Sequence, residues 1–155
     1  MSLNTENTFQ LLTFIAAPAL LTNASSVLVL STSNRFARAV DRARMLETMD
    51  NTPAHEGALL RVTRRALTLN RALTSFYVAV ASFATGTFSE LLGGGISVIA
   101  ARGEIAPVIT MVGLAVATVG TFAIATGAAF LVTETWDAYA GLREEARDML
   151  HGRLP

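Results

Sequence analysis

Residues 104–134 read EIAPVITMVGLAVATVGTFAIATGAAFLVTE, with a glutamate at each end and no charge between them. A helix needs about 20 apolar residues to cross the hydrocarbon core of a bilayer, and this stretch is longer. Polar faces recurring every turn, the mark of a soluble bundle, are missing from it. It therefore predicts a membrane-spanning helix over 106–133. Two further segments share this character. Phe9 to Ser33 carries no charge, and between Arg71 and Arg102 the only charge is Glu90. They predict spans over about 9–32 and 73–99. The expected fold is all-α: an integral membrane protein whose three transmembrane helices form one domain over 1–155.

Composition agrees. Hydrophobic residues make up 52% of the chain and charged residues 15%, against about 25% charged in ordinary soluble proteins. The net charge is zero, which argues against a nucleic-acid partner. Without cysteine there is no disulfide framework, thiolate chemistry or cysteine metal site. Residues 1–8 carry no positive charge and the apolar run after them is long, so the N-terminus does not read as a signal peptide.

The basic residues, all arginine, set the expected orientation. Arg35, Arg38, Arg42, Arg44, Arg61, Arg64, Arg65 and Arg71 lie between the first and second spans, and Arg143, Arg147 and Arg153 follow the third. Only Arg102 falls in the second connection. The positive-inside rule then places the N-terminus outside and the C-terminus in the cytoplasm, with the bacterial inner membrane as the expected location. Tyr77, Trp136 and Tyr139 fall near the inner boundary, where amphipathic rings favour the headgroup level.

The first connection is too helix-prone for a plain loop. Residues 34–49 contain neither Gly nor Pro, DNTP at 50–53 marks a break, and helix resumes near Ala54. A cytoplasmic helical hairpin over 34–71 is expected to extend the first two spans. The tail over 134–155 also reads as helical, with an apolar stripe of Leu142, Ala146, Met149 and Leu150.

Within the spans, small residues recur at heptad spacing. Gly113, Gly120 and Gly127 are in phase with Ala106 before and Glu134 after, and Ser75, Ser82 and Ser89 repeat at the same interval. Small residues let backbones approach closely in lipid, and a period of seven fits a left-handed crossing. These are expected packing seams, within the protomer or between copies of a homo-oligomer; a pore-lining hydroxyl face is the alternative. Pro18 should kink or loosen the first span. Asn23, Ser25 and Ser26 follow it as interhelical hydrogen-bonding groups, with an ion or proton path as the alternative. Gly93, Gly94 and Gly95 favour a break just after Glu90, leaving that carboxylate interfacial and the best position for an ion contact. If the helix instead continues through LLGGGISVIAA, Glu90 lies deeper, where a carboxylate is costly and a default functional candidate.

Nothing in the chain reads as catalytic. There is no phosphate-binding glycine loop, zinc-helix motif or nucleophile elbow. His55 and His151 lie apart, without ligands at metal spacing. No enzyme, cofactor or metal is expected.

The stretch NRFARAVDRAR at 34–44 places Arg35, Arg38 and Arg42 on one helix face, with Asp41 spaced to pair with Arg38 or Arg44. Orientation and attraction of anionic lipid, at about 1 kcal/mol per near-surface arginine, account for the arginines but less well for Asn34 and Asp41. The pattern N-R-x-x-R-x-x-D-R-x-R after a proline-containing span resembles that of an uncharacterised bacterial family of small three-span membrane proteins, a domain of unknown function. Pro18, Asn34, Arg35, Arg38, Asp41, Arg42 and Arg44 carry the resemblance, with Arg64, Arg65 and Glu134 matching an arginine pair before the second span and a glutamate ending the third. Residues 86–103 depart from the pattern, so nothing is carried over there. The resemblance implies a polar cluster of Asn34, Arg35, Arg38, Asp41, Arg42 and Arg44 with Arg64, Arg65 and Glu134 at the cytoplasmic ends of the spans. It implies no substrate. The expected function is non-enzymatic: a self-associating membrane protein presenting its arginine-rich hairpin to anionic lipid headgroups or a protein partner. The alternative is a small homo-oligomeric ion channel.

Overall fold

The computed structural model describes residues 5–48, 53–99 and 105–150, with side chains from residue 16 onward except 18, 53–55, 97–99, 144–145 and 148–150. Within that frame the protein is all α. Three helices follow one another: α1 (Thr5–Glu47), α2 (Pro53–Ile99) and α3 (Ile105–Leu150). At 1.5 Å per residue the 47 residues of α2 extend about 70 Å, roughly twice the hydrocarbon thickness of a bilayer. Two helices are long and apolar enough to cross a membrane, over Glu56–Ile96 of α2 and Ile105–Arg143 of α3. The whole of the expected first span, 9–32, lies on α1, whose side chains before residue 16 are outside the described residues.

Two sequence expectations are corrected. Helix α2 runs unbroken through Gly93, Gly94 and Gly95 to Ile99. The reason is visible at Gly93, where a Cβ would stand 2.6 Å from Thr110 Oγ1 and 3.3 Å from the Ala106 carbonyl oxygen. That glycine permits close approach of α3 and does not end the helix. Asn23, expected to face another helix, is exposed. The interior position belongs to Ser25, which is fully buried and donates from its hydroxyl to the Leu21 carbonyl at 2.7 Å. Helix α1 is continuous through Pro18. The break at 50–52, His55 and His151 lie outside the described residues or side chains.

The chain divides into two compact units. The first comprises Met1–Ser31 and Thr74–Ala125. Its core on α2 is Phe76, Ala79 and Phe83, spaced three and four apart as one helix face requires. Against these residues α3 presents glycine. A Cβ on Gly120 would lie 3.0 Å from the Phe83 ring and 3.1 Å from Ser82 Cβ. On Gly113 it would lie 2.9 Å from Ser89 Cβ and 3.1 Å from the Gly86 carbonyl oxygen. These separations are shorter than ordinary contacts of about 3.5–4.0 Å, so a side chain at either position would force its neighbours to shift. An open apolar groove of about 330 Å³ in this unit is lined by Leu21, Phe83, Leu114, Ala117 and Phe122, among others.

The second unit comprises Thr32–Leu73 and Thr126–Pro155. Among its described residues, Thr32 and Ala39 of α1, Leu69 and Ala72 of α2, and Gly127 and Glu134 of α3 are buried. A buried carboxylate among small and apolar residues is the feature of this unit that needs explaining.

Candidate functional site

Each helix buries a residue every seven positions. On α3 the line is Ala106, Gly113, Gly120, Gly127 and Glu134, all buried. On α1 it is Ser25, Thr32 and Ala39. On α2 it is double: Leu69, Phe76 and Phe83, and Ala72, Ala79, Gly86 and Gly93. Such spacing, three then four, keeps one narrow seam inward as in left-handed helix packing. Ser75 and Ser89 are half-buried and Ser82 is buried, with Ser89 and Ser82 lying against Gly113 and Gly120 of α3. Ser89 donates its hydroxyl to the Thr85 carbonyl at 2.9 Å, and Thr87 donates to Phe83 at 2.8 Å. On α3, Thr110 and Thr118 likewise donate to Ala106 at 3.1 Å and Leu114 at 2.9 Å. Such back-bonding spends the hydroxyl donors within their own helices.

In the second unit the α3 line ends on Glu134, only 2% exposed. A carboxylate withdrawn from water needs charged or hydrogen-bonding partners, and it receives one from each of the other helices. Arg65 of α2 donates from Nε to Oε1, and Arg35 of α1 brings Nη1 to 3.7 Å from Oε2. The arginine side chains are half-exposed, 46% for Arg35 and 51% for Arg65. The anion is interior and its two half-exposed cations reach in from the surface. The arrangement joins three helices through one side chain, so removing that side chain severs both links at once.

The remaining residues of the expected cluster are placed differently. Asn34, Asp41, Arg42, Arg44 and Arg64 are all exposed. Arg38, also exposed, donates from Nε to the Asn34 backbone carbonyl at 3.3 Å, and Arg64 accepts at its backbone carbonyl from the Thr68 hydroxyl at 3.2 Å. Among the described residues Asp41 forms no ion pair. The structure thus gathers Arg35, Arg65 and Glu134 and leaves the others on the surface.

One group escaped the sequence reading. The Thr32 hydroxyl is fully buried and has no hydrogen-bond partner among the described residues. Its heptad relation to Ser25 and Ala39 was the available signal. Glu90 has the setting of the continuous-helix alternative. It lies seven residues after Phe83, in phase with the α2 core, and its Oε2 is buried without a partner among the described residues. Near it, a Cβ on Gly113 would approach the Glu90 backbone nitrogen to 3.6 Å. Among the described residues, no three His, Cys, Asp or Glu side chains gather as metal ligands.

These features define a class: an all-α chain of three long helices, two of them apolar enough to span a membrane, with a seam of small residues and a three-helix ion-pair junction. Residues 15–143 match the family of proteins of unknown function designated DUF2721, and the chain belongs to that family. The matched stretch contains Arg35, Arg65, Glu90 and Glu134. No curated protein and no solved structure matches the chain.

Proposed function

We propose that this chain is a three-span, non-enzymatic protein of the bacterial cytoplasmic membrane, oriented N-terminus outside and C-terminus in the cytoplasm. In this reading it self-associates within the bilayer and presents an arginine-rich cytoplasmic segment to anionic lipid. One observation carries it. The most apolar stretch of α3 is only 11% buried, with Met111, Val119 and Phe122 exposed at 75%, 55% and 70%. The central helix of a soluble protein would be mostly covered. A helix this apolar and this exposed is best explained by a hydrocarbon solvent, where burial of apolar surface no longer drives folding. The exposed Trp136 and Tyr139 supply interfacial anchors on the same helix.

The absence of cysteine makes the test clean. Single cysteines at Ser2→Cys, Ala58→Cys and Ala140→Cys are probed in intact cells with a membrane-impermeant maleimide. The reading expects Ser2→Cys to react directly and the other two only after lysis. Direct reaction at Ala58→Cys or Ala140→Cys would reverse the orientation, and release of the protein by carbonate washing would remove the membrane assignment itself.

A second reading, a homo-oligomeric ion channel, is favoured by the unpartnered buried oxygen of Glu90, since an intramembrane carboxylate is a default functional position. Cation flux in liposomes, abolished by Glu90→Ala, would support it. A protein monomeric in bilayers would eliminate it.

A further inference from the structure

The Arg35–Glu134–Arg65 junction has donors left over. A guanidinium carries five N–H donors in a rigid planar fork, and the contacts to Glu134 engage Nη1 of Arg35 and Nε of Arg65. Half of each arginine side chain remains exposed while the carboxylate is 2% exposed, so the arginines stay open to a further anion from outside the junction. One carboxylate against two guanidiniums leaves a surplus of one positive charge. Two guanidiniums already held in place by a buried anion lose little conformational freedom on binding a ligand. Their fork geometry matches the oxygens of a phosphate group.

Trp136, two residues beyond Glu134 on α3, is 73% exposed. Tryptophan in a membrane protein favours the headgroup level, which is the level of lipid phosphates. We propose that Arg35 and Arg65, locked by Glu134, clamp the phosphate of an anionic glycerophospholipid, and that this is a defined site distinct from diffuse attraction by the other arginines. The proposal rests on the membrane reading above. Glu134 is a positioning residue: it makes the clamp by orienting the two cations.

Native mass spectrometry tests this by counting lipids retained by the full chain released from nanodiscs of mixed phosphatidylglycerol and phosphatidylcholine. Arg35→Lys with Arg65→Lys keeps both charges but loses the forks, and should lower phosphatidylglycerol retention about tenfold, as loss of roughly 1.4 kcal/mol implies. Arg44→Gln with Arg61→Gln removes two exposed arginine charges elsewhere and should lower it less than about twofold, since exposed charges are screened. Glu134→Gln should lower retention although it makes the chain more positive, the opposite of what diffuse attraction requires. Thermal melts of each variant identify any that fail to fold, and each of the two perturbations of the junction decides the matter alone.

Unchanged retention in the double lysine variant, or increased retention in Glu134→Gln, overturns the clamp. So does an equal loss in the Arg44→Gln/Arg61→Gln variant. Displacement of the lipid by millimolar inorganic phosphate would assign the site to the free ion and overturn the lipid. A wild-type chain that enters nanodiscs but shows no preference for phosphatidylglycerol rejects the clamp and leaves the membrane reading standing. Failure to enter nanodiscs at all rejects both.

Discussion

Gly113 and Glu134 occupy one line of α3, three heptads apart, and both are buried. At Gly113 the neighbouring helix comes so close that a Cβ would stand 2.9 Å from Ser89 Cβ. At Glu134 a long charged side chain fills the inward position and draws in Arg35 and Arg65. In the first unit α3 approaches α2 closely because its seam positions lack side chains, and in the second unit the same line buries a charge. Closely approaching helices can associate through van der Waals contact alone. Half-exposed arginines keep much of their hydration, which lowers the desolvation cost of the ion pair at Glu134.

This contrast is open to perturbation from either side. The largest effect is expected from Gly113→Leu. Its side chain must displace backbone as well as Ser89, an overpacking that costs about 3 kcal/mol, read as a lowered unfolding midpoint in mixed micelles. Glu134→Gln keeps the shape and removes the charge. Because both arginines can fall back to solvent, the expected loss is about 1–3 kcal/mol and not the full cost of stranding a buried ion. High salt should weaken wild-type stability only modestly, since the carboxylate is shielded from screening.

Glu90→Met addresses the carboxylate oxygen that has no partner. Replacing it with an apolar group of similar length should stabilise by up to about 1 kcal/mol, unless copies of the chain supply the partner in the membrane. Destabilisation accompanied by loss of oligomers would show that they do. The smallest effect is expected at Gly94→Ala, where a Cβ would meet nothing within 4 Å. Better helix propensity predicts a gain of about 0.5–1 kcal/mol. The opposite sign at Gly93→Ala would confirm that adjacent glycines in one run do different jobs.

How far these features were legible in the sequence follows from what each depends on. The helices were legible because uncharged length is a local property, and the α3 line from Ala106 to Glu134 was legible because glycine is rare enough for its spacing to stand out. The α2 core was legible only in part. Phe76 and Phe83 blend into an apolar background, whereas Ser82 and Ser89, which stand out at heptad spacing, lie against Gly120 and Gly113 of α3. The glycine run at 93–95 was misread as a break because sequence shows the cost of glycine in a helix but not the Ala106 and Thr110 atoms that require one. In the arginine stretch, spacing could not tell Arg35, which reaches Glu134, from Arg38, which folds back on Asn34. That choice depends on how α1 is rotated about its axis, and neighbours distant in sequence set the rotation.

The most direct test is a double-mutant cycle between Glu134→Gln and Arg65→Gln, measured by reversible unfolding in mixed micelles, with Gly113→Ala as the distant control. If the second unit is held through its buried charge, the Glu134–Arg65 coupling should be at least about 1 kcal/mol, while Glu134 and Gly113 should be additive within roughly 0.5 kcal/mol. A Glu134–Arg65 coupling near zero would contradict the account.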